Sequence, residues 1–381
     1  MNTKKRIAFL FGSGISIKAG VPSTKSITNS VLGQFRDNWP INIDDNKPNT
    51  NWDFIIDDIK KFEYSKEIKG ITKEYEPNYE DIYFTLNQLS EHLIGQTNNP
   101  IVGYYIKSRR SKLTKALSLK RNCSDDDLQR GIENCCENKI AKIVRDMTDA
   151  QTKFKLEDYN IIPDIFADRD LFDYDIFTLN HDLLLEQFLE AMNIMYCDGF
   201  GGNAHTYKIW GGSQFDEKKE NIRLFKLHGS VNWRFVKDNS NSEYYVKICS
   251  HHNENDLRNE LGANYCRYSY LLLMGTFNKM LQYTRGIFRE FYFRYYRHLN
   301  ETDHLIISGY SFGDQGINNV TSDWLEADPN RKVILIHHDI NGLKGKVRLY
   351  RPAALYIINK SILHEQKFEN ACWAVIRGLI V

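Results

Sequence analysis

The residues of this chain that are best suited to chemistry stand where five apolar runs end. They are glycines, serines, asparagine, aspartates and histidines, in the segments Gly12–Pro22, Thr178–Asp182, Lys226–Ser230, Ser308–Asp314 and His337–Asp339. Glycine turns let backbone N–H groups approach a phosphate, and histidine can accept a proton near neutral pH. Because ligands of open α/β sheets bind beyond the carboxyl ends of the strands, the five segments are expected to share one crevice.

Each segment taken alone also has a structural interpretation. Gly12-x-Gly14 can be a tight turn, since a standard dinucleotide fingerprint would need glycine at position 17, which is Ile17. Asp182 can cap the following helix, and it can do so while also holding a ligand. His228 is a single histidine at a strand end, where a structural role is the more common one. The prediction of a site therefore depends on the five segments together.

The apolar runs are predicted to be buried strands of a parallel sheet. They are rich in aliphatic, β-branched and aromatic residues, and they span residues 6–11, 174–179, 224–227, 271–274, 304–308, 333–336 and 354–358. Helix-like segments such as Asp182–Met192 alternate with several of these runs. The alternation predicts an α/β fold with a Rossmann-like parallel sheet.

One interval departs from this alternation. From about Thr24 to Asp170 the pattern is helical and charged, with helices predicted near residues 53–62, 79–93 and 126–147. We interpret it as a large helical insertion after the first β-turn-α unit. The predicted domains are a discontinuous Rossmann-like domain over 1–28 and 171–381 and a helical insertion domain over 29–170. A further helix, Ile287–Leu299, is predicted to place its aromatic face in the core, with an oligomer surface as the alternative.

Composition restricts the partners and the compartment. The 381 residues carry 50 Lys and Arg against 49 Asp and Glu, a net charge of +1, which argues against direct nucleic-acid binding. The basic stretch 107–115 is interpreted as a solvated helix face. Seven cysteines without Cys-x-x-Cys pairs indicate free thiols, a cytoplasmic protein and no structural zinc. The apolar run 7–11 is too short for a signal peptide or a membrane span.

The ordered segments resemble the sirtuin superfamily. Gly12–Pro22 is similar to the sirtuin loop Gly-Ala-Gly-x-Ser-x-x-x-Gly-x-Pro, with Ser13 in place of alanine. Thr178–Asp182 is similar to Thr-Gln-Asn-x-Asp, Leu227–Ser230 to the catalytic His-Gly segment, and Gly309–Ser311 to the later Gly-Thr/Tyr-Ser turn. The resemblance covers roughly residues 5–28 and 171–340. It implies that NAD+ is bound as a substrate.

The resemblance also implies roles for individual residues. The candidate NAD+-binding residues are Gly12, Ser13, Gly14, Ser16, Gly20, Pro22, Gly309, Ser311 and Asp339, and the candidate catalytic residues are Asn180, His228 and Asp182. The loop at Gly12–Gly14 would hold the pyrophosphate, and Ser311 and Asp339 would hold the adenosine ribose. Asn180 would orient the nicotinamide ribose and a water molecule, and His228 would accept a proton. Strand alternation, by contrast, points His181 away from Asn180 and Asp182, so it is expected to be structural.

The chain differs from sirtuin deacylases in three respects. It lacks their two Cys-x-x-Cys pairs, it has Ser23-Thr24 where they have Phe-Arg, and its Asn180-to-His228 interval is longer. With the helical insertion, these features resemble the sirtuin-like effectors of bacterial anti-phage defence. That resemblance implies hydrolysis of NAD+ to nicotinamide and ADP-ribose.

The same resemblance implies regulation, because constant NAD+ hydrolysis would be toxic. Expected partners are further copies of the chain in a homo-oligomer and, for a short effector, a HerA-type ATPase. No membrane partner and no metal are expected. Two alternatives stay open: a non-catalytic module that senses NAD+ or ADP-ribose, and a protein deacylase or ADP-ribosyltransferase.

Overall fold

The chain divides into two units, one built around β-sheets and one built of helices. The computed structural model describes residues 4–37, 52–62, 76–151, 155–202, 204–217, 220–237, 242–261, 267–275, 278–347 and 351–380. Unit 1 comprises Met1–Val21, Thr148–Leu273 and Lys279–Val381, and unit 2 comprises Pro22–Met147 and Met274–Asn278. Among the described residues, no helix is both long and apolar enough to cross a membrane.

Unit 1 contains two sheets. Its strands in chain order are β1 Lys5–Phe11, β2 Phe172–Thr178, β3 Phe200–Gly201, β4 Tyr207–Trp210, β5 Ile222–Lys226, β6 Gly229–Lys237, β7 Glu243–Ile248, β8 Arg267–Leu272, β9 His304–Ser308, β10 Lys332–His337 and β11 Ile362–Glu365. The first sheet has the order β11-β10-β9-β1-β2-β5 with every pair parallel, which confirms the predicted Rossmann-like α/β sheet. The second, β3-β4-β7-β6-β8, is antiparallel and was not predicted.

Helices flank the parallel sheet and build unit 2. In chain order they are α1 Thr24–Asp37, α2 Asp53–Phe62, α3 Tyr79–Leu93, α4 Pro100–Ala116, α5 Asp125–Cys135, α6 Lys142–Gln151, α7 Ile161–Ala167, α8 Leu184–Ala191, α9 Glu254–Leu261, α10 Asn278–Gln282, α11 Gly286–Leu299, α12 Gln315–Ala327, α13 Ile340–Val347, α14 Pro352–Lys360 and α15 Trp373–Arg377. The helices predicted at 53–62 and 79–93 are confirmed. The one predicted at 126–147 is interrupted by a π-helical segment, Cys136–Ala141.

The parallel sheet is buried on both faces. Along β1, Ile7, Phe9 and Phe11 enter one apolar cluster with α7, α8 and α15. Ala8 and Leu10 enter the other cluster, with α11, α12 and α14. A parallel strand covered on both sides reads as a continuous apolar run rather than an alternating one. This is why β1, β2, β5, β9 and β10 were visible in the sequence.

The border between the units differs from the predicted domain limits. The sequence predicts an insertion over 29–170, whereas the contacts group residues 148–170 with unit 1. The Tyr159 hydroxyl donates to the carbonyl of Ile15 (2.6 Å), and Ile162 and Ile165 pack under the sheet. These apolar side chains complete the core next to β1.

Two predicted strands are wrong or misplaced. Residues 354–358 form part of α14, because Pro352 suits a first helical turn and Ala354, Ile357 and Ile358 share one buried face. Leu271 and Leu272 end β8, which belongs to the antiparallel sheet, and Leu273 and Met274 follow it. Strand β11 was missed, since it is short and half-exposed at the sheet edge.

The aromatic helix α11 packs its predicted face into the core. Ile287, Phe291, Tyr295 and Leu299 are buried, which confirms the core interpretation. Phe293, on the opposite side, is 60% exposed.

Unit 2 is a set of helices with its own buried residues. Helix α3 packs against α5, burying Leu86 and Leu89 on the first and Leu128 and Ile132 on the second. Asn78 and Ser124 begin α3 and α5 with capping boxes, which satisfy N–H groups that a helix start leaves unpaired.

His304 gives unit 1 a predictable dependence on pH. It begins β9, is buried, and neither ring nitrogen has a hydrogen-bond partner among the described residues. Burial, and then the charges of Lys5 and Lys332, lower its pKa to about 4. Since the unfolded value is about 6.5, the folded state resists protonation, and its stability falls as pH drops from about 6.5 toward 4.

We therefore expect His304→Gln to remove part of this acid sensitivity. Between pH 7.5 and pH 5, the wild type should lose about 2 kcal/mol more unfolding free energy than the variant. Urea unfolding at the two pH values measures the difference, with the exposed His205→Gln as control. An equal loss in wild type and His304→Gln would contradict the prediction.

Candidate active site

Two glycine turns pack against each other beyond the carboxyl ends of β1 and β9. The Gly12 N–H donates to the Ser308 carbonyl (3.0 Å), and the Gly14 N–H donates to the Gly309 carbonyl (2.9 Å). A Cβ on Gly12 would lie 2.6 Å from the Gly309 oxygen, and Gly309 has a φ of +65°. Contact between the turns therefore requires these glycines. Both N–H groups donate within the protein and not to a phosphate, whereas Ser13 is exposed and its side chain faces the cavity described below.

The Asn180 carboxamide lies just past the end of β2 and is 6% exposed. Its Nδ2 donates to the Gly12 carbonyl (3.1 Å) and to the Ser16 hydroxyl (3.0 Å). Its Oδ1 is buried and has no hydrogen-bond partner among the described residues. Buried amide oxygens are normally satisfied. An unpartnered one beside a glycine loop is suited to accept a hydrogen bond from a ligand.

Asp182 holds the start of α8. Its Oδ1 accepts from the Leu184 N–H (3.0 Å), as the structural interpretation of the sequence anticipated. Its own carbonyl accepts from the Lys226 ammonium, which also pairs with Glu186 (2.9 Å). The side chain does not line the cavity described below. Its contacts fix the loop that carries Asn180.

His181 lies closer to the site than the sequence suggested. Its ring centroid is 6.3 Å from that of His228, and its Nδ1 is buried without a hydrogen-bond partner among the described residues. Burial, and then the charges of His228, Lys279 and Lys226, hold its pKa well below the ordinary value. Strand alternation failed here because β2 ends at Thr178 and the chain turns before His181.

His228 is buried on the turn between β5 and β6. Gly229 has a φ of +80°, and a Cβ there would lie 1.9 Å from the Leu271 carbonyl oxygen, so the turn requires glycine. The Leu227 N–H donates to the Thr178 carbonyl (2.9 Å). This bond places the histidine turn beside the end of β2 that leads to Asn180.

Asp314, which had no predicted role, contacts His228 directly. Its Oδ2 lies 2.8 Å from His228 Nε2 and accepts from the Tyr283 hydroxyl (2.7 Å). Burial opposes ionisation of Asp314, but the hydrogen bond and charge of His228, with Lys279, hold its pKa well below the usual range. The available signal was an acidic residue at the end of the Ser308–Asp314 turn, directly before a helix.

A cavity of about 770 Å³ opens beside the two glycine turns. Its volume falls within the roughly 300–1,000 Å³ of small-molecule sites. It brings together five of the predicted binding residues: Ser13, Gly14, Gly309, Ser311 and Asp339. Lys18, Lys346 and Lys367 line it as well, and cations are suited to a diphosphate. The serines, the glycine turns and the three lysines fit an anionic dinucleotide.

The four remaining predicted binding residues, Gly12, Ser16, Gly20 and Pro22, do not line this cavity, and neither do the candidate catalytic residues Asn180 and His228. Ser16 is fully buried beneath Asn180. Gly20 is exposed and has a φ of +82°, which fits a turn. Pro22 is the first residue of unit 2.

Asp339 faces the cavity and also begins a helix. Its Oδ1 accepts from the Gly342 N–H (2.7 Å) in α13. The neighbouring His337 and His338 rings stack with centroids 4.6 Å apart and line the same cavity.

Away from the cavity, a group of described residues has the spacing of metal ligands: Asp175, His298 and Glu301. Arg223 forms two hydrogen bonds to the Asp175 carboxylate (2.6 and 2.7 Å), and Arg6 forms another (3.1 Å). The guanidinium groups balance the buried charge of Asp175, so the cluster is a partly buried ion-pair network, with Glu301 exposed. The described cysteines are free thiols, and Cys266 lies outside the described residues.

Comparison with known protein families finds a match to part of this chain. Residues 175–351 match the SIR2-like domain family. The matched range runs from β2 past α13 and contains Asn180, His228 and Asp314, whereas the Gly12–Pro22 loop precedes it. The match covers less than half of the chain and supports the sirtuin-like family that the motifs suggested.

A comparison with solved structures finds a distant likeness. The structure "Structural Basis for the Mechanism and Regulation of Sir2 Enzymes" is 10% identical, with 94% of this chain and 92% of that chain covered at a TM-score of 0.33. A likeness of that size supports no argument about activity. No curated protein matches the chain.

Proposed function

We propose that this chain is an NAD+ glycohydrolase, which cleaves NAD+ to nicotinamide and ADP-ribose. The observation that carries the proposal is the Asn180 carboxamide. It is buried, fixed by Gly12 and Ser16, unsatisfied at Oδ1, and placed next to the turn of His228. The SIR2-like domain match supports NAD+ as the substrate.

The chemistry of NAD+ places modest demands on these residues. The pyridinium ring is already a good leaving group, so the site must chiefly orient the nicotinamide ribose and support the positive charge that develops on the sugar. Asn180 Oδ1 accepts a hydrogen bond from a ribose hydroxyl or from the attacking water, while its Nδ2 bonds keep the carboxamide in place. His228 takes up the proton that the hydroxyl or water releases.

The rest of the dinucleotide occupies the cavity. Ser13 and the lysines at 18, 346 and 367 bind the diphosphate, and Ser311 and Asp339 bind the adenosine ribose. Asp182 acts through the loop it holds rather than by touching the substrate.

We further propose that this activity depletes NAD+ in bacterial anti-phage defence and is gated. The gate is self-association, a HerA-type ATPase partner, or both. The support is the resemblance of the ordered motifs and the helical insertion to sirtuin-like defence effectors. A chain that hydrolysed NAD+ constantly would poison its own cell.

Product analysis tests the activity. The purified chain is incubated with NAD+, alone and with a HerA-type ATPase, and products are separated by chromatography. We expect nicotinamide and ADP-ribose in equal amounts in at least one mixture. NAD+ binding without nicotinamide release in either mixture would contradict the proposal and indicate a sensor. Release that requires an acyl-lysine peptide would contradict it in favour of deacylation.

A further inference from the structure

We propose that Asp314 is a positioning residue for His228: it holds the proton on Nε2 and so makes Nδ1 the atom that accepts a proton during the reaction. The catalytic consequence rests on the proposed NAD+ hydrolysis. The proton arrangement itself can be measured without any turnover.

The proton arrangement follows from three atoms. An ionised carboxylate can only accept hydrogen bonds, so at 2.8 Å from Asp314 Oδ2 the His228 Nε2 must carry a proton. The Tyr283 hydroxyl donates to the same oxygen (2.7 Å), and its own oxygen lies 2.9 Å from Nε2. Both neighbours of Nε2 are therefore consistent with one tautomer, in which Nε2 donates.

The Asp314 carboxylate is itself fixed in position. Its Oδ1 accepts from the Ile317 N–H (3.1 Å) at the start of α12. Its backbone N–H donates to the Tyr310 hydroxyl (3.1 Å), which is buried and bonded to Asn318 (2.9 Å). The base–orienter arrangement of many enzymes requires a third group held in this way.

Backbone strain in the same turn indicates that its shape is strongly determined. Phe312 is fully buried and has a φ of +56°, a conformation that is unfavourable for a bulky side chain. The turn has two tasks, since Gly309 and Ser311 line the cavity while Asp314 contacts His228. One strained turn thus joins the nucleotide cavity to the proton acceptor.

The charges around His228 determine the direction in which its titration should shift when Asp314 is replaced. The groups that face His228 include Asp314, Tyr283 and His181, and Lys279 acts on both Asp314 and His181. An adjacent carboxylate stabilises the imidazolium. Replacing Asp314 alone leaves the other groups in place, so any change in His228 titration reports the carboxylate.

Asp314→Asn is the sharpest variant, because asparagine keeps the size of the side chain and also serves well at the start of a helix. NMR spectra of ¹⁵N-histidine-labelled protein identify the His228 signals by their loss in His228→Ala. We expect neutral wild-type His228 to carry its proton on Nε2, and its titration midpoint to fall by about one pH unit or more in Asp314→Asn. A proton on Nδ1, or an unchanged midpoint, would overturn the inference whether or not NAD+ is cleaved.

Steady-state kinetics of the same variant test the catalytic consequence. In Asp314→Asn, we expect kcat to fall about 10²-fold with KM for NAD+ changed less, and the acid limb of the pH–rate profile to move to lower pH. Tyr283→Phe keeps the carboxylate and should lose less. Asp168→Asn removes a carboxylate that bonds Trp373 and Arg377 elsewhere in unit 1 and should match the wild type. An Asp314→Asn enzyme with wild-type kcat would also overturn the inference.

Discussion

Replacement of His228 by alanine is expected to slow nicotinamide release from NAD+ by about 10²-fold or more. The imidazole is buried on the β5–β6 turn, next to the end of β2 that leads to Asn180, and it is oriented by Asp314. Its loss removes the group that takes up the proton from the ribose hydroxyl or water. Initial rates at saturating NAD+ measure the effect.

Asn180→Ala tests the residue that is proposed to hold the ribose hydroxyl or the water from which His228 takes the proton. It removes both the unpartnered Oδ1 and the bonds to Gly12 and Ser16, and a similar loss is expected. Asn221→Ala and His205→Ala change the same residue types at exposed positions of unit 1 and should retain full activity. Wild-type turnover in both His228→Ala and Asn180→Ala would defeat the assigned roles.

Gly309→Ala is expected to lower the unfolding free energy by about 2 kcal/mol or more and to abolish measurable NAD+ binding. A Cβ at this position would lie 2.5 Å from the Ile15 nitrogen and 2.7 Å from the Gly12 oxygen, and φ is +65°. The two glycine turns must then separate. The cavity that Ser13 and Ser311 share would lose its shape.

Gly313→Ala is the matched control within the same turn. The nearest atom to its added Cβ is Ser311 Oγ at 3.8 Å, an ordinary contact. Thermal unfolding and calorimetric titration with NAD+ compare the two variants. If Gly309→Ala were as stable and as tightly binding as Gly313→Ala, the contact between the turns would not be what forms the cavity.

The parallel sheet was predictable from the sequence because its central strands are buried on both faces. The antiparallel sheet was not, since strands such as β4 and β7 are half-exposed and too short or too polar to form an apolar run. Its first strands, β3 and β4, fall in the long, glycine-rich interval between Asn180 and His228, and neither of them was predicted. Burial, rather than strand propensity, decided which strands could be recognised.

The site was predictable in its residue types but not in its contacts. Asn180 and His228 were found because polar residues at the ends of buried strands converge at one sheet edge. Asp314 was not singled out, since its contact with His228 joins residues 86 positions apart in the sequence. Gly12 and Gly14 were predicted as phosphate-binding residues, whereas the structure requires glycine there because the two turns pack against each other. A sequence does not show which turns pack together.

A crystal structure with carba-NAD+, a non-hydrolysable analogue, tests most directly whether these segments bind one substrate. We expect its diphosphate beside Ser13 and Lys18, its adenosine ribose at Ser311 and Asp339, and its nicotinamide ribose within hydrogen-bond distance of Asn180 Oδ1. An analogue bound with its nicotinamide ribose away from both Asn180 and His228, or bound outside the cavity, would contradict the account.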